Sequence, residues 1–103
     1  MNTLNTLVRQ VETWAIEKEL HTAESSKQFL KVVEEVGEVA SALARSQTDE
    51  IRDGIGDVVV TLIILALQNN MTLEECLIQA YNEIKGRTGK MVNGVFVKTS
   101  DLK

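Results

Sequence analysis

The sequence predicts an all-α subunit of four helices with a short C-terminal β-hairpin, its helical bundle completed by oligomerisation. Three observations predict it. Proline is absent from all 103 residues, so nothing breaks long helical runs. Apolar residues recur at steps of three and four in four successive segments. Near the end, Asn93-Gly94 separates the β-prone runs Lys90-Met91-Val92 and Val95-Phe96-Val97, the strongest short-range hairpin signal.

The first helix is expected over about residues 2–20, where Leu4, Leu7, Val8, Val11, Trp14, Ala15 and Ile16 make an amphipathic stripe. Trp14 is expected to anchor it to the bundle. A polar connection, His21 to Ser26, leads to the second helix over about 25–45, with Ser25 and Gln28 at capping-box spacing. Its seam is expected to be Phe29, Val33, Val36, Ala40 and Leu43. Val32, Val39 and Ala42 form a neighbouring row that includes Glu35, and Glu34, Glu38, Ser41 and Arg45 follow the more polar edge. The third helix is expected over about 49–68, with Thr48 as N-cap and Asp49 and Glu50 at its positive end. Ile51, Ile55, Val58, Leu62 and Leu65 form its seam, and its later turns are apolar almost all round. A helix of that kind is buried on several sides, so a partner subunit is expected to cover it. Its β-branched residues keep a buried strand as the rival reading; the segment's length favours helix. Thr72-Leu73-Glu74-Glu75 opens a fourth helix over about 72–86, and the hairpin occupies about 90–98.

At 103 residues the chain bounds to one domain, 1–103. A net charge of −4 argues against a surface that coats a nucleic acid polymer. Cys76 is the only cysteine, which fits a reduced, cytoplasmic setting. No signal-peptide pattern opens the chain, and the apolar run Val58–Leu67 is too short to span a bilayer, so no membrane is expected.

The acids carry the chemistry. Glu34, Glu35 and Glu38 fall within one apolar-periodic segment, and Asp53 and Asp57 open the next. Side chains three and four apart share a helix face, so the three glutamates converge and repel one another unless a cation lies among them. An ionised carboxylate withdrawn from water needs a partner, a hydrogen bond or a metal. Oxygen-only ligands favour hard cations, Mg²⁺ with Mn²⁺ as the alternative. A single His and a single Cys supply no zinc spacing, and His21 sits outside any Glu-x-x-His pair of the ferritin-like kind. No phosphate-cradling Gly loop is present. Several carboxylates on adjacent helices suit metal-assisted phosphate chemistry; the alternative is a set of solvated acids on a structural helical oligomer.

The segments Lys31-Val32-Val33-Glu34-Glu35-Val36-Gly37-Glu38 and Ile55-Gly56-Asp57-Val58-Val59 resemble the two signatures of the MazG-like, all-α nucleoside triphosphate pyrophosphohydrolases. That family's pattern is Glu-Glu-x-x-Glu on one helix and Glu-x-x-Asp on the next. The tail from Ile84 to Lys90, with Asn93 to Lys98, is similar to that of small members. If Asp57 is the terminal aspartate, the expected glutamate falls on Gly54; Asp53, on the same face as Asp57, is the substitute. Glu50-Ile51-Arg52-Asp53 matches Glu-x-x-Asp literally but lacks the apolar run that follows.

The resemblance implies hydrolysis of a nucleoside triphosphate between its α and β phosphates. It implies Glu35, Glu38 and Asp57 as main metal ligands, with Glu34 completing the shell and Asp53 as helper. Glu34 or Glu38 takes the proton of the attacking water. Lys31, Lys85, Arg87 and Lys90 are candidates for the outer phosphates, Lys31 alternatively an i,i+4 partner of Glu35. Gln28 and Asn82 are candidates for base or sugar. The Gly54 departure keeps open a nucleotide- or metal-binding module with little turnover. The expected partners are a nucleoside triphosphate and further copies of the chain, as a homodimer or homotetramer.

Overall fold

The computed structural model describes residues 2–102. The elements run α1 (Leu4–Glu17), a 3₁₀ turn (Leu20–Thr22), α2 (Ser25–Ala44), α3 (Thr48–Gln68), α4 (Leu73–Ile84), β1 (Gly89–Val92), β2 (Val95–Lys98) and a last 3₁₀ turn (Thr99–Asp101). The all-α class, with four helices and a two-stranded hairpin, is thus the one adopted, and the third segment is a helix rather than a strand. No helix among the described residues is long and apolar enough to cross a membrane. The chain forms two compact units, one ending at Leu73 and the next starting at Glu74.

In the first unit α2 packs along α3, and α1 packs on α3. The core is built largely from small residues: Ala15, Ala42, Ala66 and Gly54 are buried beside Val32, Ile63 and Ile64. Small side chains let helix backbones approach closely. At Gly54 the fit is close: a Cβ there would lie 2.9 Å from Val39 Cγ2.

That approach decides which face of α2 turns inward. Phe29, Val33, Val36 and Leu43, expected as the inward seam, are at least half exposed. The neighbouring row faces α3 instead: Val32 and Ala42 are buried and Val39 is half-buried. Val39 seats on the bare backbone of Gly54, and the larger residues to the side are left facing outward. Trp14 is likewise not the anchor of α1. It stays 46% exposed while Ala15, its neighbour, is fully buried at the contact.

Two of the expected caps are used differently. Ser25 is the first helical residue of α2, not its cap, and Glu24 precedes it without a side-chain capping bond. The Ser25 hydroxyl accepts a hydrogen bond from Asn69 Nδ2 at 3.0 Å, tying the start of α2 to the end of α3. Thr48 likewise lies inside α3, behind an N-cap Gln47 that makes no side-chain capping bond, with Asp49 and Glu50 in the first turn. At α1 the cap is Thr3, whose side chain accepts from the Thr6 amide at 3.1 Å. The helix ends early because Glu19 takes a left-handed backbone (φ 61°). Gln68 Nε2 then donates to the Leu20 carbonyl at 3.0 Å and holds the turn to α3.

In the second unit α4 carries Glu74 and Glu75 in its first turn. The hairpin pairs Gly89 with Lys98, Lys90 with Val97, Met91 with Phe96 and Val92 with Val95. Asn93 (φ 51°) and Gly94 (φ 81°) form the two-residue turn, the positive φ values that Asn-Gly tolerates. The base is tied by the Thr88 and Thr99 hydroxyls, 2.7 Å apart.

Candidate metal centre

The inward row of α2 reads Val32, Glu35, Val39, Ala42, so an acid sits where an apolar residue would otherwise meet α3. Glu35 is accordingly half-buried, while Glu34 and Glu38 remain exposed on either side of it. One carboxylate oxygen from each of the three lies within 4.8 Å of the others. Glu35 Oε2 is buried and has no hydrogen-bond partner among the described residues.

Across the interhelical space stand Asp53 and Asp57 of α3, one turn apart. Asp57 is half-buried and Asp53 exposed. The Glu35 carboxyl is held above its ordinary value of 4.5, first by partial loss of water and then by the fields of Glu38, Asp57 and Glu34 and a hydrogen bond with Glu38. Asp57 is raised above 3.8 by the same loss of water, then by Asp53 and Glu38, and shares a hydrogen bond with Asp53. Both shifts come from carboxyl groups drawn partly out of water beside one another, a repulsion that a bound divalent cation would offset. The all-oxygen donor set and the unpartnered buried oxygen of Glu35 fit a hard divalent cation.

Two clefts flank Asp53 and Asp57. One, of about 290 Å³, is lined by Glu38, Ser41, Ala42, Arg45, Glu50, Asp53, Gly54 and Asp57. The other, of about 610 Å³, has apolar walls from Leu4, Leu7, Val8 and Val11 of α1 and Val59, Val60 and Ile63 of α3, with Asp53 and Asp57 at its polar end.

The remaining site candidates fall in different places. Lys31 is exposed on α2 and makes no ion pair with Glu35 among the described residues. Gln28 donates its amide to the Thr61 carbonyl at 3.0 Å, a strut between α2 and α3 that leaves its Oε1 for any ligand. Asn82 on α4, Lys85 and Arg87 in the turn after it, and Lys90 on β1 are exposed in the second unit. Ser41 and Arg45 line the smaller cleft, although neither stood among the candidates. The signal for them was the polar edge Glu34, Glu38, Ser41, Arg45, whose steps of four, three and four place one end of the row at the acids.

The sequence profile of the MazG nucleotide pyrophosphohydrolase domain matches residues 22–92. The chain is also similar to an uncharacterized 18.2 kDa protein in the rep-hol intergenic region of Haemophilus phage HP1 (strain HP1c1), with 40% identity over 72 residues. That stretch covers 69% of this chain and 44% of the phage protein, so the chain spans less than half of that relative's length. No solved structure gives a significant match. The profile takes in the whole of α2 and α3, where the glutamates of one helix meet the aspartates of the other, and by this match the chain belongs to the MazG nucleotide pyrophosphohydrolase domain family.

Proposed function

We propose that the chain is a magnesium-dependent pyrophosphohydrolase that cleaves ribo- or deoxyribonucleoside triphosphates between the α and β phosphates. The observation that carries this reading is the buried, unpartnered oxygen of Glu35 amid three converging glutamates. An acid in that position is a liability to the fold and an asset only to a cation. Glu35, Glu38 and Asp57 would hold the metal, with Glu34 and Asp53 beside them. Bound there, the ion offsets the negative charge of a polyphosphate and lowers the pKa of water in contact with it. Glu38 or Glu34, exposed at the rim, takes the proton from the attacking water. The bond from the α phosphorus to its bridging oxygen breaks, and its electron pair leaves with pyrophosphate. The apolar cleft beside Asp53 and Asp57 suits a sugar and base, being within the size range of small-molecule pockets. Lys31, exposed on α2, is a further candidate for phosphate contact.

The exposed seam of α2 supports a homodimer or homotetramer, because Phe29, Val33, Val36 and Leu43 make an apolar stripe that a second copy would cover. The single cysteine supports a cytoplasmic setting. One observation favours a second reading. Gly54, where the family has a metal-binding glutamate, is buried against Val39, and a site short of one carboxylate would bind nucleotide with little turnover.

The test is to incubate the protein with each NTP and dNTP plus Mg²⁺ and to measure pyrophosphate. Release is expected from at least one nucleotide, to cease on chelation, and to fall by about 10²-fold or more in Glu38→Gln, the scale of a lost general base. Tight metal-dependent nucleotide binding without release would decide for the second reading.

A further inference from the structure

The smaller cleft holds four carboxylates, from Glu38, Glu50, Asp53 and Asp57, and a single cation, Arg45. An arginine there would be expected to pair with one of them. Among the described residues it does not: the ion pairs present are Lys27 with Glu24 and Arg52 with Asp49. Arg45 is exposed, and its backbone closes α2 by donating to the Ser41 carbonyl at 3.2 Å. Ser41, one turn earlier on the same face, likewise has no side-chain hydrogen bond among the described residues. From Glu38 to Arg45 the helix rises about 10 Å. Arg45, the C-cap of α2, lines the cleft together with Ser41 and Glu38 of the same polar edge. The cleft of about 290 Å³ thus has the acids and, with Ser41, a lone cation along its lining.

We propose that Ser41 and Arg45 form the seat of the leaving pyrophosphate, gripping the two outer phosphates while the α phosphate lies at the acids. This rests on the pyrophosphohydrolase reading and adds to it a cation that lines the acidic cleft itself, as Lys31 does not. Arg45 is suited to it, because a guanidinium presents a planar fork of donors that matches phosphate oxygens two at a time. The seat also measures chain length. A triphosphate or pyrophosphate reaches Arg45 from the acids; a single phosphate held at the acids does not.

The experiment is calorimetric titration of the full chain in Mg²⁺ with inorganic pyrophosphate and, separately, with orthophosphate. Arg45→Ala is expected to weaken pyrophosphate binding by about tenfold or more, the scale of charge-assisted hydrogen bonds, and to leave orthophosphate binding unchanged. Arg45→Lys should recover part of the loss, and Ser41→Ala should lose less. Arg45 is exposed at a helix end, so melting temperatures of the variants should match that of the parent, which separates lost binding from lost folding. Equal pyrophosphate affinity in Arg45→Ala, an equal loss of orthophosphate affinity, or no pyrophosphate binding by the parent would each overturn the seat. If Arg45-dependent pyrophosphate binding is found but no nucleotide yields pyrophosphate, the seat stands and the hydrolase reading falls.

Discussion

Glutamine in place of Glu35 is expected to abolish pyrophosphate release and, in metal-free protein, to raise the melting temperature. The two effects have one cause. Glu35 lies in the row of α2 that faces α3, within reach of Glu34, Glu38 and Asp57, and one of its oxygens has no partner. A neutral amide of the same shape removes repulsion from that contact and, on the proposed function, a metal ligand with it. The loss of turnover should be about 10³-fold or more, since a bound cation supplies several kcal/mol to a phosphate-transfer transition state.

The pH dependence fixes the sign of the stability change. The folded pKa of Glu35 is raised above 4.5, so the folded state binds the proton more tightly than the unfolded chain. Its contribution to stability is therefore fully present below 4.5 and is lost as pH rises through the folded value. Asp57, raised above 3.8, acts in the same direction. Melting curves of metal-free parent and Glu35→Gln should thus coincide best in acid and diverge toward neutral pH, the variant melting higher. Saturating Mg²⁺ should close or reverse the gap, because binding to the folded parent stabilises it by mass action. A variant that melts lower than the parent at neutral pH without metal would contradict this account of the cluster.

Introducing at position 54 the glutamate that the family resemblance implies, with Asp57 as its terminal aspartate, should fail for a packing reason. A Cβ at Gly54 would sit 2.9 Å from Val39 Cγ2 and 3.7 Å from Val39 Cα. Helix propensity alone would favour replacing glycine by about 1 kcal/mol. Overpacking at a buried contact costs about 1–3 kcal/mol, and an added carboxylate beside Asp53 and Asp57 adds repulsion. The expected outcome for Gly54→Glu is a net loss of about 2 kcal/mol, read as a fall in melting temperature of roughly 10 °C for a domain of this size. Combining it with Val39→Ala opens the space, so the double variant should melt above Gly54→Glu alone. Additive losses in the two single changes would count against the close approach at Gly54 as the reason for the departure.

Much of this arrangement was legible in the sequence. Helical periodicity marked all four helices, and Asn93-Gly94 marked the two-residue turn of the hairpin. The grouping of Glu34, Glu35 and Glu38 followed from helix spacing alone. The rows of α2 were harder. Phe29, Val33, Val36 and Leu43 are the bulkier set, and bulk suggests burial. The contact with α3 was decided instead by its smallest residues, Gly54 above all, and by the Val39 that fits it. Such a choice depends on two helices at once and leaves no mark in the periodicity of either. The same holds for Ser25, whose hydroxyl is taken up by Asn69 across the fold although its local spacing reads as a cap. Arg45 read as one more charge on a polar edge until the fold placed it in a cleft of acids.

On the proposed function the acids of α2 and α3 form one cation site. Titrating the protein with Mn²⁺ and following the free ion by electron paramagnetic resonance tests it most directly. The parent chain is expected to remove Mn²⁺ from solution, excess Mg²⁺ to displace it, and Glu35→Gln and Asp57→Asn each to lose the uptake while remaining folded. Mn²⁺ that stays free in the presence of folded parent protein, or uptake indifferent to both substitutions, would contradict it.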